Sequence, residues 1–269
     1  MAKALLAACH PAPTVAVTTL VTVLGFSVGL RGAALVLLAL TVLAGQLSIG
    51  WSNDWLDAAR DRAVARTDKP VASGRVSERT VRWAALCALA LMVPISLALG
   101  WLPAVVHALC VAMGWAYNAG VKATVASFVP YAVCFGLLPA VATTALPGRP
   151  WPPWWMVATG ALLGLGAHVL NVLPDLEQDR LTGVRGLPQR LGRRAASVVA
   201  PLLLLAATVV VAFGPPGPPG PVAWGGVGVA ALLGGQATLT ALRRHRSSWP
   251  FRCALLIAAV DVALLLYHG

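Results

Sequence analysis

Runs of about 17–22 mostly apolar residues recur along nearly the whole of this sequence, each long enough to cross a hydrocarbon layer of about 30 Å as a helix. Inside such a layer backbone N–H and C=O groups find no water, so these segments must satisfy one another as helices. Of the residues 58% are hydrophobic and 11% charged, against roughly 45–50% and 25% in soluble domains. The fold class is therefore all-α and polytopic. Nine runs can be marked, at about 14–30, 33–51, 80–99, 104–117, 124–145, 155–173, 195–213, 222–242 and 250–268. The Pro215 to Pro221 stretch is a stiff connector between two of them.

A net charge of +11 would suggest nucleic acid in a soluble chain, but its distribution argues otherwise. With nine spans and a cytoplasmic N-terminus, the cytoplasmic segments and their flanks hold 18 of the 20 Lys and Arg, all but Arg31 and Arg149. That asymmetry is the positive-inside pattern of a plasma-membrane protein, with Trp151, Trp154 and Trp155 as interfacial anchors on the other side. Nucleic acid is not an expected partner; the lipid bilayer is. The five cysteines lack paired spacing and read as small buried or lipid-facing residues. Leu6-Ala7-Ala8-Cys9 looks like a lipoprotein cleavage box, but too few apolar residues precede it, and the chain is expected to stay uncleaved.

The longest polar segment opens with Asn53-Asp54-Trp55-Leu56-Asp57-Ala58-Ala59-Arg60-Asp61, whose aspartates are spaced by three and four residues. On one helix they share a face, where they repel unless a cation lies between them. A second cluster, Asn171 to Arg180, follows the sixth run. Asn53, Asp57, Asp61 and Arg62 fall on Asn171, Asp175, Asp179 and Arg180 at an offset of 118 residues (171 − 53). The offset suggests a duplicated four-span unit, with repeats at about 14–122 and 124–242 in parallel orientation and a ninth helix at about 250–268.

Asp54, Asp57, Asp61, Asp175 and Asp179 could not receive an isoprenoid diphosphate, itself about −3, without compensation. Mg²⁺ suits this because it takes one or two carboxylates together with substrate phosphates. Arg62, Arg66, Lys69, Arg75, Arg180 and Arg185 supply further positive charge. The consequence would be ionisation of an allylic C–O bond, with Trp51, Trp55, Trp115, Tyr117 and Tyr131 available to face the cation.

Here the sequence resembles the UbiA superfamily of intramembrane prenyltransferases. The matching segments are Asn53-Asp54-x-x-Asp57-x-x-x-Asp61, Asp175-x-x-x-Asp179, the Lys69 to Ser77 loop, and Tyr117-Asn118 with Lys122. The resemblance implies nine transmembrane helices around a central cavity capped by cytoplasmic loops. It also implies Mg²⁺ on Asn53, Asp54, Asp57 and Asp61 and on Asp175 and Asp179, with Lys122 and Tyr117 at the diphosphate or the acceptor. Asn118, Asn171 and His168 join the expected substrate contacts, as do Trp51 and Trp55 as cavity lining. Lys69 stands where many relatives carry Arg, losing bidentate contact with phosphate. His10-Pro11 departs from the pattern of relatives that use aromatic acids.

Several residues carry two readings. Arg62, Arg66, Lys69, Arg75 and Arg180 are divided between phosphate binding and topology. His168 is either a base facing the cavity or a hydrogen-bonded core residue. Glu177 is expected in solvent, and Asp261, inside the ninth run, is expected to make a structural hydrogen bond. The main expectation is prenyl transfer to an aromatic or lipid acceptor. A terpene cyclase needing no acceptor is the alternative, and a membrane transporter a remote one, since nearly all the acids lie at one surface.

Overall fold

The structure is a computed structural model describing residues 1–243 and 249–268. The described residues contain helices and turns and no strand. They form two compact units: Met1–Val121 with Ala140–Trp151, and Lys122–Pro139 with Pro152–Gly269.

In the first unit α1 (Ala2–Ala8), α2 (Pro11–Ser27), α3 (Gly32–Leu56), α4 (Ala58–Ala63), α5 (Glu78–Leu99) and α6 (Trp101–Ala119) follow in order, with α3 packed by α2, α5 and α6. Small residues let the helices approach closely. A Cβ on Gly45 would fall 2.8 Å from His107 Nε2, and one on Gly114 would fall 2.6 Å from Ile49 Cδ1. The buried hydroxyls of Thr41 and Ser96 hydrogen-bond, and Ser96 Oγ lies 3.2 Å from His107 Nδ1, so α3, α5 and α6 are also joined by polar contacts.

The sequence pattern starts the first span near residue 14, but the chain is already helical before it. The apolar α1 meets α2 at a 64° bend, where His10 takes a left-handed φ of 55° ahead of Pro11. The Cys9 carbonyl at this bend rests on α3, where a Cβ on Gly50 would come within 2.2 Å of it. A helical backbone cannot give way by that much, so Gly50→Ala is expected to destabilise the protein by about 1–3 kcal/mol. Thermal unfolding in detergent, read against Gly235→Ala where the space is open, checks this.

The polar loop is folded. Besides α4 it holds the turn Lys69 to Arg75, closed by Ser73 N to Lys69 O (3.0 Å) and Arg75 N to Pro70 O (3.0 Å), with Gly74 at φ 73°. Ala8, Ala58, Val71, Val76 and Val81 make one small core beneath it. Ser77 then caps α5 by accepting from Thr80 N (3.0 Å), with Glu78 in the first turn.

α7 (Val129–Thr143) is divided between the units. The second unit contains α8 (Trp154–Val172), α9 (Leu176–Leu181), α10 (Leu187–Phe213), α11 (Pro221–Arg243) and α12 (Trp249–His268), with 3-10 turns at Val121–Ala123, Val125–Phe128 and Leu173–Asp175. Val169, Leu170, Ala196, Ala200, Leu204 and Ile257 are central to its core. Gly192, at φ 74°, kinks α10 after its first turns.

Among the described residues seven helices are long and apolar enough to span a membrane, or eight when the bent α1–α2 pair is counted as one. The chain is an integral membrane protein. α12 adds a further helix of 20 residues. Asp261 on α12 is fully buried beside the Thr208 hydroxyl, which also donates to Leu204 O (3.1 Å).

Candidate functional site

The first acidic centre forms where α3 ends. Rather than lining one continuous helix, the aspartates straddle a break: α3 stops at Leu56, Asp57 caps α4, and Asp61 lies in α4. Asp54, Asp57 and Asp61 are nonetheless all buried, at 1%, 5% and 4% exposure.

Asn53 is the hub of this centre. Its amide donates to Asp57 Oδ2 (3.1 Å) and Asn118 Oδ1 (3.1 Å), and its carbonyl accepts from Lys69 Nζ (3.2 Å). Asn118 is fixed in turn by donating to Ile49 O (2.9 Å) and Ser52 Oγ (2.8 Å). Lys69 Nζ also lies 3.4 Å from Asp54 Oδ1 and 3.0 Å from His10 Nε2. An ammonium only donates, so His10 Nε2 is the acceptor and its ring proton is on Nδ1. Asp54 Oδ2 accepts from Val71 N (3.2 Å), fastening the loop to α3.

Arg60, which the sequence reading passed over, pairs with Asp57 at 2.8 Å and approaches Asp61 at 3.9 Å. Burial raises the Asp61 carboxyl above its usual range; the charges of Lys69, Arg60 and Arg66 oppose that shift and Asp57 reinforces it. The other arginines of the loop also have partners within it or on α5. Arg62 pairs with Glu78 at 2.8 Å, and Arg66 grips Asp68 at 2.7 Å, holding that carboxyl down at about 2. Arg75 donates to Asp68 O (2.7 Å) and Ser73 Oγ (2.9 Å). Lys69 is thus the loop cation that faces Asn53 and Asp54.

Of the aromatics, Trp55 packs edge-on against Trp115 (6.3 Å between centroids) near this end of α3. Trp51 instead donates from Nε1 to Leu5 O (2.8 Å), tying α3 to α1. Tyr117 is half-buried on the last turn of α6.

The second centre repeats the local geometry. α8 ends in the Leu173–Asp175 turn, Asp175 caps the six-residue α9, and Asp179 lies within it, as Asp57 caps the six-residue α4 that holds Asp61. Asp54 has no counterpart, since the offset places Val172 there. Asp175 and Asp179 are half-buried and Glu177 is exposed, as expected. Gln189, absent from the sequence reading, donates from Nε2 to Asp179 Oδ2 (2.7 Å), and Arg180 donates to Gln189 O (3.0 Å). Asn171 is exposed and donates to Tyr131 OH (3.3 Å). His168 is 1% exposed, lies 3.1 Å from Ser127 Oγ and packs on Tyr131 at 4.7 Å, the environment of a hydrogen-bonded core histidine. Lys122 is buried in the Val121–Ala123 turn.

Among the described residues Asp61 Oδ2 is buried without a hydrogen-bond partner, and Asp54 Oδ1 makes no hydrogen bond but lies 3.4 Å from the Lys69 ammonium. Such oxygens fit a cation, because they lack the donors that buried acceptors normally find. Among the described residues no three acidic, His or Cys side chains form a metal cage on their own. Mg²⁺ takes one or two carboxylates and completes its shell with phosphates and water, so it needs no such cage.

A model of the UbiA prenyltransferase family matches residues 12–260. The chain belongs to the UbiA prenyltransferase family. It is 36% identical to the bacteriochlorophyll synthase 33 kDa chain of Cereibacter sphaeroides over 68% of this chain and 65% of that protein. It is 31% identical to the digeranylgeranylglyceryl phosphate synthase of Methanopyrus kandleri over 64% and 62% of the two chains. The matches thus span somewhat under two thirds of these relatives' lengths. A UbiA homologue from Archaeoglobus fulgidus bound to GPP and Mg²⁺ superposes with a TM-score of 0.76 at 16% identity, covering 98% of each chain. An apo UbiA homologue from Aeropyrum pernix K1 gives 0.74 at 20% identity, over 94% of this chain and 97% of that one. The fold is that of the UbiA family.

Proposed function

We propose that this chain is a Mg²⁺-dependent intramembrane prenyltransferase that ionises an isoprenyl diphosphate and passes the prenyl group to an aromatic or lipid acceptor. The observation that carries this is the first centre: three buried aspartates around Asn53, with Asp61 Oδ2 lacking a hydrogen-bond partner among the described residues and Lys69 beside Asp54. Family membership and the fold shared with the GPP- and Mg²⁺-bound homologue support the same chemistry.

In this reading Asp54, Asp57, Asp61 and the Asn53 side chain hold one Mg²⁺, and Asp175 and Asp179 hold another. When bound, the ions neutralise the diphosphate and stabilise the charge it gains on leaving. Asn53 orients Asp57 through its amide, and Arg60 limits repulsion between Asp57 and Asp61. Lys69, beside Asp54, offers its ammonium group to the phosphate oxygens. The allylic C–O bond breaks with its electron pair on the diphosphate, and Trp55 and Trp115 are the aromatic side chains assigned to stabilise the allylic cation in this reading. The acceptor then attacks the cation and loses a proton. The lysine excess of no single loop decides orientation; the 18 of 20 basic residues in alternate loops favour a cytoplasmic site in the plasma membrane, with α12 as the ninth span.

The test is to incubate purified protein with Mg²⁺ and prenyl diphosphates of several lengths, with and without candidate aromatic and lipid acceptors. Acceptor-dependent release of diphosphate, with a product heavier than the acceptor by one prenyl group, is expected. Cyclic hydrocarbons or alcohols formed without any acceptor would overturn the transferase reading in favour of a cyclase.

A further inference from the structure

Gln189 lies at the start of α10 and is 4% exposed. Its Nε2 is 2.7 Å from Asp179 Oδ2, and a carboxylate accepts, so the amide is oriented with nitrogen toward the aspartate. That orientation leaves Gln189 Oε1 buried with no hydrogen-bond partner among the described residues. A buried acceptor without a donor is costly, and turning the amide over would lose the bond to the carboxylate. The side chain is therefore placed for Asp179.

Two further contacts hold it there. Arg180, next to Asp179, donates to the Gln189 carbonyl (3.0 Å), so α9 clasps the same residue by side chain and backbone. The preceding turn is anchored at Ser127, whose Oγ accepts from Leu187 N (2.9 Å) and meets His168 Nε2 at 3.1 Å. At the centre of this anchorage is Gly186. Its φ of −66° is open to any residue, so conformation is not the reason for glycine. Space is: a Cβ would fall 2.5 Å from Lys122 O and 2.8 Å from both Gln189 Oε1 and Ser127 Oγ.

We propose that Gln189 is a positioning residue for the second acidic centre, fixing the orientation of the Asp179 carboxylate through Oδ2, with the Gly186 turn setting its distance. This rests on the proposed role of Asp179 as a metal ligand. Outer partners of this kind change metal affinity by about 10–100-fold when removed.

The experiment measures Mn²⁺ binding by EPR on the full chain in detergent, with a non-ionising thio analogue of a prenyl diphosphate present. Gln189→Met keeps the length of the side chain and removes the donor; it is expected to weaken one of two Mn²⁺ equivalents by about 10–100-fold. Turnover with Mn²⁺ or Mg²⁺ should need correspondingly more metal yet recover most of its kcat at saturation, a split that simple loss of packing would not produce. Gly186→Ala, which pushes on the Gln189 amide, should shift the same equivalent in the same direction, and it reads the geometry even if Gln189→Met does not fold. Asp179→Ala is the reference. Wild-type Mn²⁺ binding in Gln189→Met or in Gly186→Ala, with Asp179→Ala weakened, would overturn the role of Gln189. Undiminished binding in Asp179→Ala would instead overturn the metal site itself, and the inference with it.

Discussion

Asp57→Ala is expected to lower the rate of diphosphate release by about 10²–10³-fold, the scale on which loss of one preorganised charge-stabilising group slows a reaction. Asp57 is the choice within the first centre because of how it is held. It sits at the N-cap position of α4 at the break, accepts from the Asn53 amide (3.1 Å) and pairs with Arg60 (2.8 Å). Asp54, although more deeply buried, spends one oxygen on Val71 N, so its removal would loosen the loop and confuse a chemical effect with a structural one. Removing Asp57 takes away one of three carboxylates in close proximity, so metal-free stability should stay near the wild-type value. Diphosphate release and thermal unfolding measured on the same preparation separate the outcomes. Unchanged turnover in a folded Asp57→Ala protein would sink the site assignment.

The two centres were legible in the sequence because their signal is local and repeated: acids four residues apart behind an apolar run, twice, at one offset. The helices were legible for a similar reason, since a run of apolar residues marks a span wherever it packs. The break at Asp57 was not, because nothing in Asp57-Ala58-Ala59-Arg60 forbids a continuing helix; the end of α3 is set by contacts from elsewhere in the unit. The arginines were equally opaque. Arg62, Arg66 and Arg75 differ from Lys69 in no obvious local way, yet three serve Glu78, Asp68 and the loop carbonyls while Lys69 turns to Asn53 and Asp54. That choice depends on His10, 59 residues earlier in the chain, which receives one of the Lys69 protons. Gln189 was missed on the same grounds: an amide in a run of ordinary helix formers acquires its meaning only when Gly186 and Ser127 bring it against Asp179.

Lys69→Met is expected to be the most destabilising single change in the loop. Asp54 is 1% exposed, its Oδ1 has no hydrogen-bond partner, and the Lys69 ammonium at 3.4 Å is the counter-charge beside that oxygen. Breaking a buried pair by removing one member leaves the other charge uncompensated, at a cost of about 3–5 kcal/mol. The half-buried position of Lys69, at 14% side-chain exposure, puts the expected loss toward the lower end. Asp54→Asn removes the charge but keeps an oxygen able to accept from Val71 N, so the double variant Lys69→Met/Asp54→Asn should recover much of the stability lost in Lys69→Met. It should not recover turnover, since both the ammonium offered to phosphate and a metal-facing carboxylate are gone. A double-mutant cycle on unfolding in detergent measures the coupling. Additive effects would show that Lys69 does not neutralise Asp54. Lys69→Arg tests the other half of the reading: it keeps the charge, but its planar fork cannot reach His10, Asn53 and Asp54 from the single point that an ammonium occupies. Stability close to wild type with altered affinity for diphosphate is the result expected of a residue that holds the centre together and also serves the substrate.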